Sequence, residues 1–320
     1  MTIRATFELE PEGSAATLAF EASSGLATVV SDDGGRAVLD FPDDVWGADP
    51  TLLVSALVAG EATEMAAFTR CRLVDLQLPA GALPGPAFGA DPRIAVGVIV
   101  KPSLGLSPGE VAVVVAAATG AGATFVKDDE KLGDPSWCPF EERVRAVARV
   151  LPPGVTYCAN VTGPAESLLD RAWQAVHLGA TGVLVSGAAQ GLGSVLALRE
   201  ATLGVPILVH RAGSGPWVRN ASFGTTGAVL VRLYRLCGAD HVIAGTVTGK
   251  LFDSDAEIAA NLAAAQEPLD GAAPSWALLG GGRQALEVAG PGTVLVLGSG
   301  AYAGPGGIAA SVRALVEASR

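Results

Sequence analysis

The stretch RIAVGVIVKPS, residues 93–103, is an apolar run from Ile94 to Val100 that breaks off at Lys101, Pro102 and Ser103. A continuous, β-branched run without polar alternation is the pattern of a strand covered on both faces. The unit recurs to the end of the chain. Short apolar runs fall at 94–100, 123–126, 156–161, 182–185, 206–209, 241–244, 276–279 and 293–297. A loop of Gly, Pro or polar residues follows each, and then an Ala/Leu/Val-rich amphipathic stretch. Eight parallel strands alternating with helices predict a closed (β/α)8 barrel, the TIM-barrel architecture. The 228 residues from Arg93 to Arg320 lie near the usual size of roughly 250 for that fold.

Residues 1–91 do not keep this rhythm. Segments 16–21 and 27–30 read as short strands, 50–69 as a helix with Asp49 as N-cap, and 71–78 as an alternating strand. The Pro/Gly-rich stretch 79–92 reads as a linker. The expected organisation is a small α+β, ferredoxin-like domain over 1–91 followed by the barrel over 92–320.

Composition narrows the function. Thirty-two acidic against 21 basic residues give a formal charge of −11, and no basic stripe is available to neutralise a phosphate backbone, which argues against nucleic acid. Four cysteines without a CxxC pair and no secretory pattern at the start suggest a reduced, cytoplasmic protein. The uncharged stretch 289–312 has the length of a membrane span. Seven glycines and two prolines between Gly290 and Gly307 instead make it a strand and a glycine loop, so no membrane partner is expected.

In such a barrel the working residues gather where strands pass into the loops after them. Here the first two ends carry Lys101-Pro102-Ser103 and Lys127-Asp128-Asp129-Glu130, and the third carries Asn160 and Thr162. The fifth carries His210-Arg211, the sixth Gly245-Thr246 with Lys250 on its loop, and the last two the clusters Gly280-Gly281-Gly282 and Gly298-Ser299-Gly300. Taken singly, KDDE is usually a solvated turn and GSG only a loop. Together they put lysines, carboxylates, a histidine, an arginine and two glycine loops on one rim.

KPSLGLSPGE (101–110), FVKDDEKLGDP (125–135), HRAGSG (210–215), DHVIAGTVTGKL (240–251) and VLGSGAYAGPGGIAA (296–310) resemble successive signature segments of the RuBisCO superfamily. The resemblance implies a role for each. Lys127 matches a lysine converted by CO₂ to a carbamate, and Asp129 and Glu130 match carboxylates that bind Mg²⁺ beside it. Lys101 matches the base near the enolisable carbon, and His210 a site histidine. Arg211 and Lys250 match residues that bind phosphate or close over the substrate. Gly298-Ser299-Gly300, with Gly281 and Gly282, matches an anion cradle. In the N-terminal part, Glu21 and Glu61 sit where the family completes a neighbouring subunit's site, which implies a homodimer with shared active sites.

The sequence also departs from the family. Ser103 replaces a second lysine, Ile243 a phosphate-binding histidine, Gly280 a serine, Leu26 and Ala27 a threonine and tryptophan, and Glu61 an asparagine. Glu61 becomes an additional acid/base candidate. These losses argue against carboxylation and against a bisphosphate substrate. The expectation is Mg²⁺-dependent enolate chemistry, by isomerisation, enolisation or decarboxylation, on a small hydroxy-ketone or keto-acid carrying at most one phosphate. Two other readings stay open: a non-catalytic barrel that senses a ligand or binds a partner, and a metal-free enzyme using Lys101 as a Schiff-base nucleophile.

Overall fold

The computed structural model describes residues 2–46, 49–58, 60–247, 251, 253–269 and 272–320, with only the backbone at Glu61. The N-terminal part runs β1 (Thr2–Glu10), α1 (Ala15–Ser23), β2 (Thr28–Asp33), β3 (Arg36–Pro42), α2 (Pro50–Leu57), α3 (Glu61–Glu64) and β4 (Arg70–Gln77). Its strands are ordered β4-β1-β3-β2, each neighbour antiparallel, which is the ferredoxin-like arrangement. The central strand is β1, which was not expected from the sequence, although Ile3, Ala5, Phe7 and Leu9 alternate inward with period two.

Two local expectations are overturned. Residues 16–21 belong to helix α1, not to a strand. Buried Ala15, Leu18, Ala19, Ala22 and Ser23 recur at helical spacing, whereas the short Leu18/Phe20 alternation imitates a strand and leaves Phe20 61% exposed. The single helix expected over 50–69 is two, α2 and α3. Asp49 does cap α2, accepting from the Thr51 N–H at 2.8 Å.

The eight expected barrel strands are all present. They are β5 (Ile94–Ile99), β6 (Phe125–Lys127), β7 (Thr156–Asn160), β8 (Gly182–Ser186), β9 (Ile207–His210), β11 (His241–Thr246), β12 (Trp276–Gly280) and β13 (Thr293–Leu297). They close in sequence order, every neighbour parallel, with β13 returning to β5. Phe125, Cys158, Leu184, Leu208, Leu278 and Val294 fill the interior, so the barrel is a packed core and only its ends are open. Capping boxes start two of the outer helices, Ser107 with Glu110 for α4 (Pro108–Gly120) and Ser254 with Glu257 for the helix Asp255–Gln266.

The barrel sequence contributes one strand to the N-terminal sheet. β10 (Phe223–Thr225) lies parallel to β4, and Thr225 Oγ1 donates to the Leu73 carbonyl at 2.9 Å. Arg232 reaches across to Asp75 at 2.5 Å and back to Glu267 at 2.6 Å. The linker is pinned as well, because the N–H groups of Ala87 and Phe88 both donate to buried Asp240. All four cysteines are free and buried. Among the described residues no helix is long and apolar enough to cross a membrane.

Candidate active site

Strand parity distributes the KDDE segment. Along β6 the side chains of Phe125, Lys127 and, just past the strand, Asp129 turn toward the barrel axis, while Asp128 turns outward against α5 (Phe140–Ala148). There, fully buried, Asp128 accepts from Arg143 Nε at 3.1 Å, Tyr157 O–H at 3.0 Å and the Asn160 N–H at 3.1 Å. It is a structural anchor beneath the site, held by Arg143 and Tyr157, neither of which stands out in the sequence. Asn160 ties down the rest of the turn, its Nδ2 donating to the carbonyls of Glu130 at 3.1 Å and Leu132 at 3.2 Å.

On the inner side two lysines face two carboxylates. Lys101 Nζ donates to Asp129 Oδ2 at 2.5 Å and to Ser103 Oγ at 2.7 Å. Lys127, buried completely, donates to the Asp128 carbonyl at 2.8 Å and lies 3.4 Å from Glu130 Oε2. Burial pushes the Lys127 ammonium down from the ordinary lysine range, against the pull of Glu130 and Asp129. Burial raises the Asp129 carboxyl, but hydrogen bonds from Lys101, Ser103 and the Lys131 backbone outweigh it and hold the group at about 2.

His210 completes the cluster. Its Nδ1 accepts from the Ala212 N–H at 3.1 Å, which leaves Nε2 to carry the proton, 3.4 Å from Glu130 Oε2. Burial, reinforced by the charge on Lys127, pushes the imidazole down to about 3, so His210 is neutral at pH 7. Burial raises the Glu130 carboxyl, but the Lys127 ammonium 3.4 Å away favours the carboxylate, and the group lies below its ordinary range.

These groups open into a cavity of about 440 Å³ at the C-terminal end of the barrel, lined also by Arg211, Ile243, Gly281, Gly298 and Ser299. A neighbouring hollow of about 620 Å³ shares Gly281, Gly298 and Ser299 and adds Gly282, Arg283 and Gly300. Gly281 is required by the backbone: its φ is +124°, and a Cβ there would meet the Val247 carbonyl at 2.6 Å. At Gly298 and Gly300 a Cβ would meet nothing, so these positions leave open room. Volume alone does not identify the site. A cavity of about 520 Å³ opens at the opposite end, among Arg93, Thr156, His241 and Trp276, but no lysine or carboxylate side chain lines it among the described residues.

The expected site residues therefore separate into groups. Lys101, Lys127, Glu130, His210 and Arg211 line one cavity, Asp129 lies buried against Lys101 at its wall, and the two glycine loops border it. Arg211 already holds a partner, with both of its terminal nitrogens 2.6 Å from the carboxylate of Asp253, a residue that no sequence motif marks. Glu21 is exposed on α1 and does not line the cavity of its own chain. Lys250 and the side chain of Glu61 lie outside the described residues. Among the described residues no three His, Cys, Asp or Glu side chains are gathered into a metal-holding group.

A parallel barrel whose strand ends carry paired lysines and carboxylates beside glycine loops defines a class of enzyme-like (β/α)8 proteins. Residues 86–271 match the family model of the ribulose bisphosphate carboxylase large chain, catalytic domain. The chain belongs to that family, as a RuBisCO-like protein. It is 34% identical over 270 residues, 78% of this chain and 65% of the relative, to the 3-oxo-isoapionate-4-phosphate transcarboxylase/hydrolase of Xanthobacter autotrophicus. It thus spans just under two thirds of that relative's length. It is 30% identical, over 88% of this chain and 74% of the relative, to the 3-oxo-isoapionate-4-phosphate decarboxylase of Rhizobium rhizogenes. A RuBisCO-like protein from Burkholderia fungorum superposes with a TM-score of 0.88 at 26% identity, covering 99% of this chain and 93% of that one.

Proposed function

We propose that the protein is an enzyme that forms an enediolate from a small keto-acid or hydroxy-ketone carrying one phosphate, by moving a proton or a carboxyl group next to a carbonyl, and that it does not fix CO₂. The observation that carries this reading is the convergence of Lys101, Lys127 and Glu130 on one cavity with Asp129 buried behind Lys101, each lysine within 3.4 Å of a carboxylate. Two relatives named for a decarboxylation and a transcarboxylation of a phosphorylated keto-acid support it.

The donor set fits Mg²⁺ on one condition. Asp129 and Glu130 supply two carboxylates, and a third hard oxygen donor requires Lys127 to be a carbamate. Its burial favours the neutral amine, the form that adds CO₂ and releases a proton. A cation held by Lys127, Asp129 and Glu130 would supply positive charge at a developing enolate oxygen. The chain's own residues do the rest. Lys101, 17% exposed and held by Ser103, stands in the cavity to take or return a proton at the adjacent carbon. Neutral His210, its Nε2 3.4 Å from Glu130 Oε2, sits beside that carboxylate without adding charge. The glycine loops leave room for an anionic group.

We further propose that sites are shared in a homodimer, with Glu21 reaching a neighbouring barrel. Around it Phe20, Leu26, Val29 and Val30 are exposed, an apolar surface that a second copy would cover.

The test of function is incubation in D₂O with Mg²⁺, bicarbonate and a panel of ketose phosphates and keto-acid phosphates, followed by NMR, beside a labelled-CO₂ assay with ribulose bisphosphate. Deuterium incorporation or decarboxylation that disappears in Lys101→Met and in Lys127→Ala is expected, with no label fixed. Calorimetry should show tighter Mg²⁺ binding when bicarbonate is supplied, a dependence that Lys127→Ala abolishes. Turnover unchanged in both variants would remove these residues from the mechanism.

A further inference from the structure

The Arg211–Asp253 pair bears on which substrates the cavity accepts, and its role there rests on the reading of the site as one for a phosphorylated substrate. Each described lysine and arginine lining the 440 Å³ cavity faces a carboxylate. Lys101 and Lys131 face Asp129, Lys127 faces Glu130, and Arg211 faces Asp253. The Arg211 pair is the most complete. It is bidentate at 2.6 Å on both arms, and its side chains are only 16% and 3% exposed. A guanidinium fork engaged in this way has its anion-recognising edge occupied, and an incoming phosphate would have to displace a buried carboxylate. In the adjoining hollow of about 620 Å³, which shares Gly281, Gly298 and Ser299 with this cavity, Arg283 is exposed beside Gly282, Gly298 and Gly300 and makes no ion pair with the described residues.

We infer that Asp253 is a specificity-determining residue: by occupying Arg211 it closes that end of the cavity to phosphate, so the substrate carries a single phosphate, received by the glycine loops and Arg283. The internal carboxylate does at Arg211 what a second phosphate would otherwise do. The like charge of Asp253 also repels a second anion placed there. The two ends are thus chemically different, and a bisphosphate gains nothing from its second group.

Binding of unreactive polyols tests this without requiring turnover, so a failure here is distinguishable from a failure of the enolate reading. The probes are xylitol 5-phosphate and xylitol 1,5-bisphosphate, titrated calorimetrically with Mg²⁺ and bicarbonate present. Wild-type protein should bind the two within about threefold of each other. Asp253→Asn, which keeps the shape and removes the charge, should tighten the bisphosphate about tenfold or more while moving the monophosphate less than threefold. Arg283→Gln should weaken both probes about tenfold, with an unchanged melting temperature. A wild-type preference of more than tenfold for the bisphosphate, or an unchanged ratio in Asp253→Asn, overturns the role of Asp253. Failure of wild type to bind either probe, or undiminished binding in Arg283→Gln, overturns the role of Arg283.

Discussion

Replacing Arg143 by methionine removes the cation beneath the active site while keeping much of its bulk. Arg143 is fully buried, and besides Asp128 it donates to the carbonyls of Cys138 at 3.1 Å and Gly133 at 3.0 Å. Without it, Asp128 keeps only the Tyr157 hydroxyl and the Asn160 N–H as donors, and its negative charge stays in the interior uncompensated. Breaking a buried pair by removing one partner costs about 3–5 kcal/mol. At roughly 2–4 °C per kcal/mol for chains somewhat smaller than this one, the melting temperature should fall by roughly 10 °C. Asp128→Asn should also destabilise, by stranding the guanidinium. The double variant Asp128→Asn/Arg143→Met should cost clearly less than the sum, with a coupling of about 1–3 kcal/mol. Melting temperatures of all four proteins, taken by circular dichroism at one pH and one scan rate, measure the cycle. Arg143→Met within 2 °C of wild type, or strictly additive losses, would refute the claim that this pair anchors the strand carrying Lys127 and Asp129.

Three further outcomes are expected. Gly281→Ala should destabilise the fold, since it places a Cβ 2.6 Å from the Val247 carbonyl at a φ of +124°, whereas Gly298→Ala should leave the melting temperature unchanged and weaken phosphate-ligand binding; equal melting shifts would contradict the distinction. His241 is buried between Phe125 and Trp276, and burial pushes its imidazole down to about 3. The unfolded chain takes up that proton near pH 6.5 and the folded chain does not, so the stability conferred by neutral His241 is complete above pH 6.5. It falls by about 1.4 kcal/mol per pH unit below that, about 2 kcal/mol by pH 5. His241→Phe should flatten the acid limb of the stability curve by one proton, and parallel curves would argue against it. Finally, co-assembled Glu21→Gln and Lys127→Ala subunits, each inactive alone, should recover activity; a monomer by light scattering would end the shared-site proposal.

The barrel was legible in the sequence because its signal is local. A strand covered on both faces must be apolar over consecutive residues, and eight such runs at regular spacing leave few alternatives to closure. The clustering of lysines and carboxylates was legible for the same reason: parallel strands bring all their C-terminal ends to one face. Shorter signals failed where two periods fit the same residues, as in 16–21, whose alternation hides the helical stripe of α1. Strand parity could have shown that Asp128 turns away from Lys127 and Asp129, but only the packing of α5 supplies Arg143 to receive it. Arg211 and Asp253 are 42 residues apart, and nothing local to either marks them as partners. Their pairing depends on two loops meeting after the barrel closes. The kinds of chemical group on the rim were therefore decided by the sequence itself. Which of them are already spent on one another, and which still face the cavity, was decided only by tertiary structure, because charge compensation depends on distance in space and not along the chain.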